Sequence, residues 1–508
     1  MNSNNDQRLM NCIQSTQNIS YCKLYIVVPS DTFHVLLTLT FLLTSFWGMF
    51  KDDCGISKDS NMEINWVYRK FNTSDFEYAT KCEPTRRHEP ELIGPAKPTP
   101  RELKPLSDFD DQEGLRGHIP VIHIYRSDSK MRNKNPATII RDALTKVLVF
   151  YYPFAGRLKE GPGRKLMLRD ALHPSFPCLE ELLYDVPGSS GILDSPLLLI
   201  QVTRMLCGGF IFAIRLNHTI SDAQGLVQFL TALSEIAQGT TTPSTLHVWR
   251  RELLFARDPP RVTCTHHEYD ELAETNKDNL FASDNMNQKT FFFGSSEVSA
   301  LRRFVPLNLK NCSTFEVIIA SIWHCLTIAL QLDPEDETHV ICFVSAKSKL
   351  KSIFPKGYYG NTFAYPTAIS TVGDPCNKQL GHAIGLLRKT KESVTEEYMR
   401  SFVDRTVIKG RPLFTLARSY FVSDVTRAGF DVLDFGWGKP AYGGPAEGGT
   451  SLRSFYMPFR NHKGESGIMI SIYLDSVVME RFVKELNKML LQDNNDHHAL
   501  NFHTVSRL

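Results

Sequence analysis

A histidine and an aspartate four residues apart, His218 and Asp222, have the residue types and spacing for acid–base chemistry. An unperturbed imidazole has a pKa of about 6.5, so His218 can accept a proton near neutral pH. Asp222 has two possible roles: to orient the imidazole as in a catalytic triad, or to hold the turn as a cap or ion-pair partner. We favour the second, because a helix beginning near Ala223 directs the Asp222 side chain towards its own backbone amides. His218 is the candidate general base, although a His-x-x-x-Asp pair alone is common.

A buried strand, a sharp turn and a helix are expected to present this histidine. The stretch 208–217 is rich in bulky apolar residues and ends directly before His218. A helix with one apolar stripe is expected over 223–237, with Ser221 or Asp222 as its N-cap. A base at the end of a buried strand is held rigidly, and positioning is the first requirement of general-base catalysis.

Other catalytic signatures are absent from the sequence. It contains no G-x-S-x-G elbow, no phosphate-binding G-x-x-x-x-G-K-[ST] loop, no H-E-x-x-H and no G-x-G-x-x-G after a strand. Their absence argues against hydrolase, nucleotide-binding and zinc-protease functions. The run His266-His267-Glu268 invites a metal-site interpretation, but adjacent histidines in an extended chain point to opposite sides. We expect an exposed linker segment there, and no metal site.

A second segment, Asp434-Phe435-Gly436-Trp437-Gly438, has two interpretations. It is a binding loop, or it is a tight turn in which Gly436 and Gly438 permit the bend while Trp437 packs. We favour the turn.

Composition indicates a globular protein that does not bind nucleic acid. The chain has 508 residues, 42% apolar and 22% charged, and a net charge of +2 from 57 basic and 55 acidic residues. The charges are scattered, so the basic surface that phosphate backbones require is not expected. Eleven cysteines without a C-x-x-C pair argue against a zinc ribbon or a disulfide scaffold and favour the cytoplasm.

An apolar run at 33–50 introduces a membrane-anchored alternative to this location. It carries no Asp, Glu, Lys or Arg and is about the minimum length for a span. Four hydroxyl residues dilute it, and no basic cluster precedes it. A cytoplasmic protein remains our expectation.

Shifts in composition divide the chain into five parts. Residues 1–75 form an atypical N-terminal extension that includes the apolar run. Domains are expected at 76–253 and 288–490, joined by a linker at 254–287 and followed by a polar tail at 491–508. Strands are expected at 119–125, 208–217, 289–293, 339–345 and 467–474, and helices at 137–149, 223–237, 313–330, 380–397 and 480–490.

The two segments His218–Asp222 and Asp434–Gly438, in this order and about two hundred residues apart, resemble the two signatures of the plant BAHD acyltransferases. The likeness covers about residues 76–490. Within the family it is greatest to the benzyl alcohol O-benzoyltransferases and related alcohol acyltransferases. The further segments that carry it are 151–158, 248–254, 357–361 and 442–445.

This resemblance implies an α/β fold of two similar, chloramphenicol-acetyltransferase-like domains. Each would have a mixed sheet with flanking helices, and the active-site channel would lie at their interface. It implies transfer of a benzoyl, acetyl or similar group from acyl-CoA, a co-substrate and not a permanently bound cofactor, to a small alcohol such as benzyl alcohol. Both substrates would react in one complex, without an acyl-enzyme, and the protein would be a monomer.

The resemblance also implies roles for individual residues. His218 would take the proton of the hydroxyl group. Contacts to coenzyme A are expected from Thr314 and Asn361. Structural support of the site is expected from Asp222, Lys347, Asp434, Gly436, Trp437 and Gly438.

Three features depart from the family pattern. Relatives carry an extra strand and loop where this chain has only 169–175, and a lost strand leaves ladder groups unpaired. The family's N-x-R-x-R strand motif is 345–349 here, so the arginine expected to grip Asp222 is Lys347, which keeps the charge but loses the bidentate fork. The third departure is the N-terminal extension. A catalytically impaired family member is therefore the alternative function.

Overall fold

Two β-sheets with flanking helices make up the fold in this computed structural model. The structure describes residues 88–491 and 505–506, except 160–181, 185, 187–188, 190, 206, 271–284, 348, 375–379, 412–413, 415–417, 448, 451–452 and 462–463. The predicted extension 1–75, the segment 169–175 and nearly all of the polar tail lie outside the described residues. Within the described part of the chain, no helix combines the length and apolarity that a membrane span needs.

Strands and helices are each numbered in chain order. The strands are β1 (His118–Tyr125), β2 (Leu198–Arg204), β3 (Phe210–Asn217), β4 (Met286–Phe293), β5 (Glu337–Ser345), β6 (Phe363–Ala364), β7 (Thr367–Thr371), β8 (Ser419–Asp424), β9 (Tyr442–Pro445), β10 (Gly449–Thr450), β11 (Arg453–Arg460), β12 (Ser466–Asp475) and β13 (Val505–Ser506). The helices are α1 (Pro136–Phe150), α2 (Ala223–Ala237), α3 (Ser295–Arg302), α4 (Thr314–Leu330), α5 (Leu380–Glu392), α6 (Glu396–Ile408) and α7 (Ser476–Leu490).

The first sheet has the strand order β2-β3-β1-β9, and the pairings among these strands are antiparallel. Helices α1 and α2 pack against each other, and their apolar faces share one core with the sheet. Both helices begin at a side-chain cap: Asn135 accepts from the amide of Ala137, and Asp222 from that of Gly225. Strand β3, which ends at the catalytic candidate, is thereby fixed in the middle of a packed layer.

The second sheet has the order β13-β4-β12-β11-β8-β5-β6, with β7 paired to β5 and β10 to β11. It is mixed, because β8 runs parallel to both β5 and β11 while the other pairs are antiparallel. Helix α4 lies in its core, and thirteen of its seventeen residues are buried. Each fully buried large apolar side chain there stabilises the fold by about 1.5–3 kcal/mol.

The two halves of the chain exchange segments. Strand β9 comes from the second half but pairs with β1 in the first sheet. In return Phe109 and Leu115, which precede β1, are buried in an apolar cluster with residues of β5, β8 and α6. Residues around the catalytic candidate are therefore fixed by both halves.

Most expected helices and strands are confirmed, with bounds that agree to within four residues. The single helix expected at 380–397 is wrong, because the chain forms α5 and then starts a new helix, α6, at the cap Thr395. Strands β2, β8 and β11 and helix α3 were not expected from the sequence. The predicted α/β fold class is confirmed.

Candidate active site

The turn after β3 is held at each peptide by hydrogen bonds. The amide of His218 donates to the carbonyl oxygen of Gly117 at 2.9 Å, and the amide of Ile220 donates to that of Asn217 at 3.1 Å. The side-chain oxygen of Asn217 accepts from both the amide (3.2 Å) and the hydroxyl (2.6 Å) of Thr219. An asparagine that bonds the backbone two residues ahead favours a tight turn, so β3 ends here and His218 is presented at its end.

The surroundings of the His218 ring set its protonation state. Nδ1 is buried, and no described residue forms a hydrogen bond with it. The residue as a whole is nevertheless partly exposed. Burial lowers the pKa of His218 below its ordinary value, although the charge of Asp222 opposes that shift. The imidazole is therefore neutral near pH 7 and able to accept a proton.

Asp222 is committed to the backbone around the turn. One carboxylate oxygen caps α2 by accepting from the amide of Gly225 at 2.9 Å, and the other accepts from the amide (3.1 Å) and hydroxyl (3.2 Å) of Thr362. The cap expected from the sequence is present. Burial raises the pKa of Asp222, while the bond from Gly225 and the charge of Lys347 act in the opposite direction.

Lys347 is placed differently from the expected grip on Asp222. Its Nζ donates to the carbonyl oxygen of Tyr358, and among the described residues no ion pair joins it to Asp222. Its charge still lowers the pKa of Asp222 from a distance. Thr362 makes the direct contact that the resemblance assigned to residue 347.

A buried ion pair beneath the turn was missed by the sequence reasoning. Nη1 of Arg251 lies 2.8 Å from Oδ2 of Asp110, and both side chains are fully buried. Nη2 of Arg251 donates to the carbonyl oxygen of Ile220 at 2.7 Å. Oδ2 of Asp110 also accepts the hydroxyl of Ser107 at 2.7 Å. The pair therefore holds the peptide two residues after the candidate base.

Aromatic rings enclose the guanidinium of Arg251. Its central carbon lies 4.5, 5.6 and 4.9 Å from the ring centroids of Trp249, Tyr358 and Tyr359. Such cation–π contacts partly offset the cost of removing the charge from water. The guanidinium and the three rings around it come from the segments 248–254 and 357–361, which carried part of the resemblance.

Asn361 lies under the turn that follows β3 and is fully buried. Its Nδ2 donates to Oδ1 of Asp110 at 2.8 Å and to the carbonyl oxygen of His218 at 2.7 Å. Both amide hydrogens are thus used within the protein, a geometry that favours positioning of His218 over the predicted contact to coenzyme A. The second predicted coenzyme contact, Thr314, begins α4 and accepts from Arg302 at 3.4 Å. The structure does not bring it together with these residues in any described contact.

The segment Asp434–Gly438 forms a turn packed on the first sheet. Oδ1 of Asp434 accepts from the amides of Gly436 (2.6 Å) and Gly438 (2.9 Å), and both glycines have the positive φ that favours glycine. The ring of Trp437 lies 5.1 Å from that of Phe210 at the start of β3. This geometry fits structural support of β3, since Trp437 packs against the first residue of that strand and Asp434 bonds within its own turn.

The expectation of an exposed linker at 266–268 is wrong for two of its three residues. His266 and Glu268 are buried: Nδ1 of His266 lies 3.2 Å from Oε1 of Glu268, and its Nε2 lies 2.9 Å from the hydroxyl oxygen of Ser401. The chain forms a short turn here, so the side chains fold onto α6 instead of alternating to solvent. Among the described residues, no cluster of three or more His, Cys, Asp or Glu could hold a metal ion.

Comparison with known proteins decides the family. A family model described as the transferase family matches residues 85–170 and 165–489. The chain belongs to the BAHD acyltransferase family. It is 59% identical to a benzyl alcohol O-benzoyltransferase of Petunia hybrida and 57% identical to one of Nicotiana tabacum. Each alignment covers 80% of this chain and 94% of the relative. This BAHD protein is therefore an acyltransferase.

Solved structures agree on the fold. Vinorine synthase superposes on this BAHD chain with a TM-score of 0.58 at 22% identity, covering 78% of this chain and 97% of that one. Fusarium graminearum TRI101, crystallised with ethyl coenzyme A, gives a TM-score of 0.55 at 18% identity, covering 75% and 97%. The expected acyltransferase fold is confirmed.

Proposed function

We propose that this protein transfers an acyl group from an acyl-CoA to the hydroxyl group of a small alcohol, with benzoyl-CoA and benzyl alcohol as the first pair to test. The carrying observation is the 59% identity to the petunia benzyl alcohol O-benzoyltransferase over 94% of that protein. A 49% identical relative from Actinidia chinensis is named an alcohol acyltransferase, which widens the range of acceptors to test.

His218 acts as the general base of this reaction. Its Nε2 takes the hydroxyl proton while the alcohol oxygen attacks the thioester carbonyl carbon. The tetrahedral oxyanion then collapses, the carbon–sulfur bond breaks, and the coenzyme A thiolate receives the proton from the imidazolium. Both substrates are bound together and no acyl-enzyme forms. Positioned proton transfer contributes about 10²–10⁴-fold to such reactions, and the rest comes from orientation and electrostatic stabilisation.

The remaining site residues position this base. Asp222 fixes the start of α2, Asn361 fixes the carbonyl of His218, and Arg251 fixes that of Ile220. The glycine-rich turn at 434–438 supports β3 from the other side. Acyl-CoA binds as a co-substrate in a channel between the domains. We place the active protein in the cytoplasm, and we expect it to be a monomer.

A panel of acyl-CoA donors and alcohols tests the proposal. Purified protein is incubated with benzoyl-CoA, acetyl-CoA or hexanoyl-CoA and with benzyl, hexyl or phenylethyl alcohol, and esters are identified by gas chromatography with mass detection. We expect benzyl benzoate or a related ester. Protein that melts cooperatively and forms no ester from any pair contradicts the proposal.

A catalytically impaired protein is the second candidate, and two observations favour it. The alignment with the petunia relative is 433 positions long, but it covers only 80% of this chain, which is about 406 of its 508 residues. About 27 aligned positions of the relative therefore have no counterpart in this chain. The two matched pieces of the family model meet at 165–170, beside the expected deletion. The test compares this chain with one carrying the petunia segment at that place. Ester formation and a higher melting temperature only in the restored chain support impairment, and equal activity and melting refute it.

A further inference from the structure

The ring of Phe363 lies beside the catalytic imidazole. The centroids of the two rings are 5.8 Å apart, and their planes are inclined by 44°. Both side chains are partly exposed, whereas the neighbours of Phe363 in the chain, Thr362 and Ala364, are buried. The accessible surface next to His218 therefore continues onto an aromatic face.

This aromatic face is rigid. The ring of Phe363 meets those of Phe109 at 5.5 Å and Tyr365 at 5.1 Å, both nearly perpendicular and both buried. Its backbone pairs with Ser345 of β5, and the residue before it, Thr362, bonds Asp222. Phe363 and His218 are thus held in one frame, and a substrate ring on Phe363 would be fixed relative to the base.

Polar and apolar side chains divide the surroundings of this face. Phe343, half-buried, continues the apolar side at 5.9 Å from Phe363. On the polar side, the hydroxyl of Ser345 lies 3.4 Å from the amide oxygen of Gln224 in the first turn of α2. An acceptor with a hydroxyl group at one end and a ring at the other matches this division.

Distances set the separation between that hydroxyl group and ring. A hydroxyl oxygen bonded to Nε2 lies about 2.8 Å from it. Stacked or edge-on aromatic rings have centroids about 4.5–7 Å apart. Because Phe363 and the imidazole are themselves 5.8 Å apart, one methylene between oxygen and ring lets both contacts form at once.

We propose that Phe363 is a specificity-determining residue that binds the aryl ring of arylmethyl alcohols while their hydroxyl group meets His218. The inference rests on the proposed function and deepens it by assigning the acceptor class to one side chain. The ring of an aromatic acyl donor is the competing occupant, and the experiment separates the two.

The experiment compares Phe363→Leu with wild type on matched acceptors. Benzyl alcohol and cyclohexylmethanol have the same connectivity but differ in aromaticity, and acetyl-CoA serves as the common donor. We expect the ratio of kcat/KM for benzyl alcohol to that for cyclohexylmethanol to fall by about three- to tenfold, the range of aromatic pairing. Phe363→Tyr retains the ring and should retain the ratio. If the Phe363→Leu protein does not fold, Phe363→Met is measured in its place, because methionine also removes the ring but adapts to irregular packing.

Phe292→Leu is the matched control. Phe292 is a half-buried phenylalanine on β4, near the opposite edge of the second sheet from β6, and its ring pairs with Phe459. This variant should keep the wild-type ratio, which shows that loss of a partly buried ring elsewhere does not change selectivity.

Two results overturn the inference. The first is an unchanged acceptor ratio in folded Phe363→Leu or Phe363→Met; a reduced preference for benzoyl-CoA over hexanoyl-CoA in the same variant would then assign the ring to the donor. If wild type forms no ester, the proposed function fails separately, and ligand-observed NMR of benzyl alcohol then decides. Equal binding to wild type and Phe363→Leu is the second refuting result, and weaker binding to the variant supports the inference.

Discussion

The buried pair of Asp110 and Arg251 should be strongly coupled in a double-mutant cycle. Asp110→Asn leaves the guanidinium without a counterion, and Arg251→Met leaves the carboxylate without one. Since both side chains are fully buried at 2.8 Å, removal of either partner should destabilise the fold by about 3–5 kcal/mol. The double variant buries no charge and should cost less than the sum of the single variants by about 2–3 kcal/mol.

The structure favours the lower end of this range for Asp110→Asn. Three aromatic rings still cover the cation, and asparagine can still accept from Asn361. For a domain of about 200 residues, about 3 kcal/mol corresponds to a melting temperature lower by roughly 6–12 °C. The melting temperature of Arg251→Met should be lower still, because the carbonyl oxygen of Ile220 also loses its hydrogen-bond donor.

Melting by circular dichroism and ester formation below the melting temperature are measured for the wild type and all three variants. Folded Arg251→Met should also show a reduced kcat, because it frees the turn that carries His218. Single variants that melt within about 1 °C of wild type, or additive losses in the double variant, would refute the assignment of this pair as a coupled support of the turn.

Three further predictions follow from the same geometry. Asn361→Ala frees the carbonyl of His218 and should lower kcat by about tenfold or more with little change in the KM for acyl-CoA; a raised KM with an unchanged kcat would instead support the predicted coenzyme contact. Burial lowers the pKa of His218, and the neutral form is the base, so kcat/KM should be retained down to about pH 6.5 and be lost only as pH falls below it; an acidic limb above pH 7 contradicts this. Gly443→Ala places a Cβ 2.4 Å from the carbonyl oxygen of Phe430 and should lower the melting temperature, whereas Gly385→Ala, with open space in α5, should raise stability by about 0.5–1 kcal/mol.

Local rules predicted the elements nearest the catalytic candidate. Helix α2 has the bounds that its apolar stripe indicates, and Asp222 is its cap. Helix α4 likewise begins after Ser313, whose hydroxyl oxygen accepts from the amide of Glu316. The carboxylate of Glu316 accepts in turn from the amide of Ser313, which completes a capping box. These features depend on residues within one helical turn, so the sequence alone carries them.

The division between α5 and α6 had a local signal that was missed. Thr395 is followed by Glu396 and Glu397, and a threonine before two acidic residues is typical of a helix start. The apolar periodicity runs across this break because Val394 is buried between the helices. Periodicity alone therefore joined two helices into one.

The support beneath the turn could not be derived from local pattern. Asp110 and Arg251 are 141 residues apart in the chain, and Asp110 and Asn361 are 251 residues apart. Charged residues are ordinarily exposed, so nothing in either segment indicates a fully buried pair. Only the tertiary fold brings these three residues together under His218.

The rate of ester formation by His218→Ala tests the central claim most directly. Release of free coenzyme A and formation of the ester are followed with saturating benzoyl-CoA and benzyl alcohol, beside wild type and His88→Ala, which removes an exposed histidine. We expect a kcat about 10²–10⁴-fold below wild type for His218→Ala, an unchanged melting temperature, and full activity for His88→Ala. A folded His218→Ala protein that forms ester at the wild-type rate would contradict the assignment of His218 as the base.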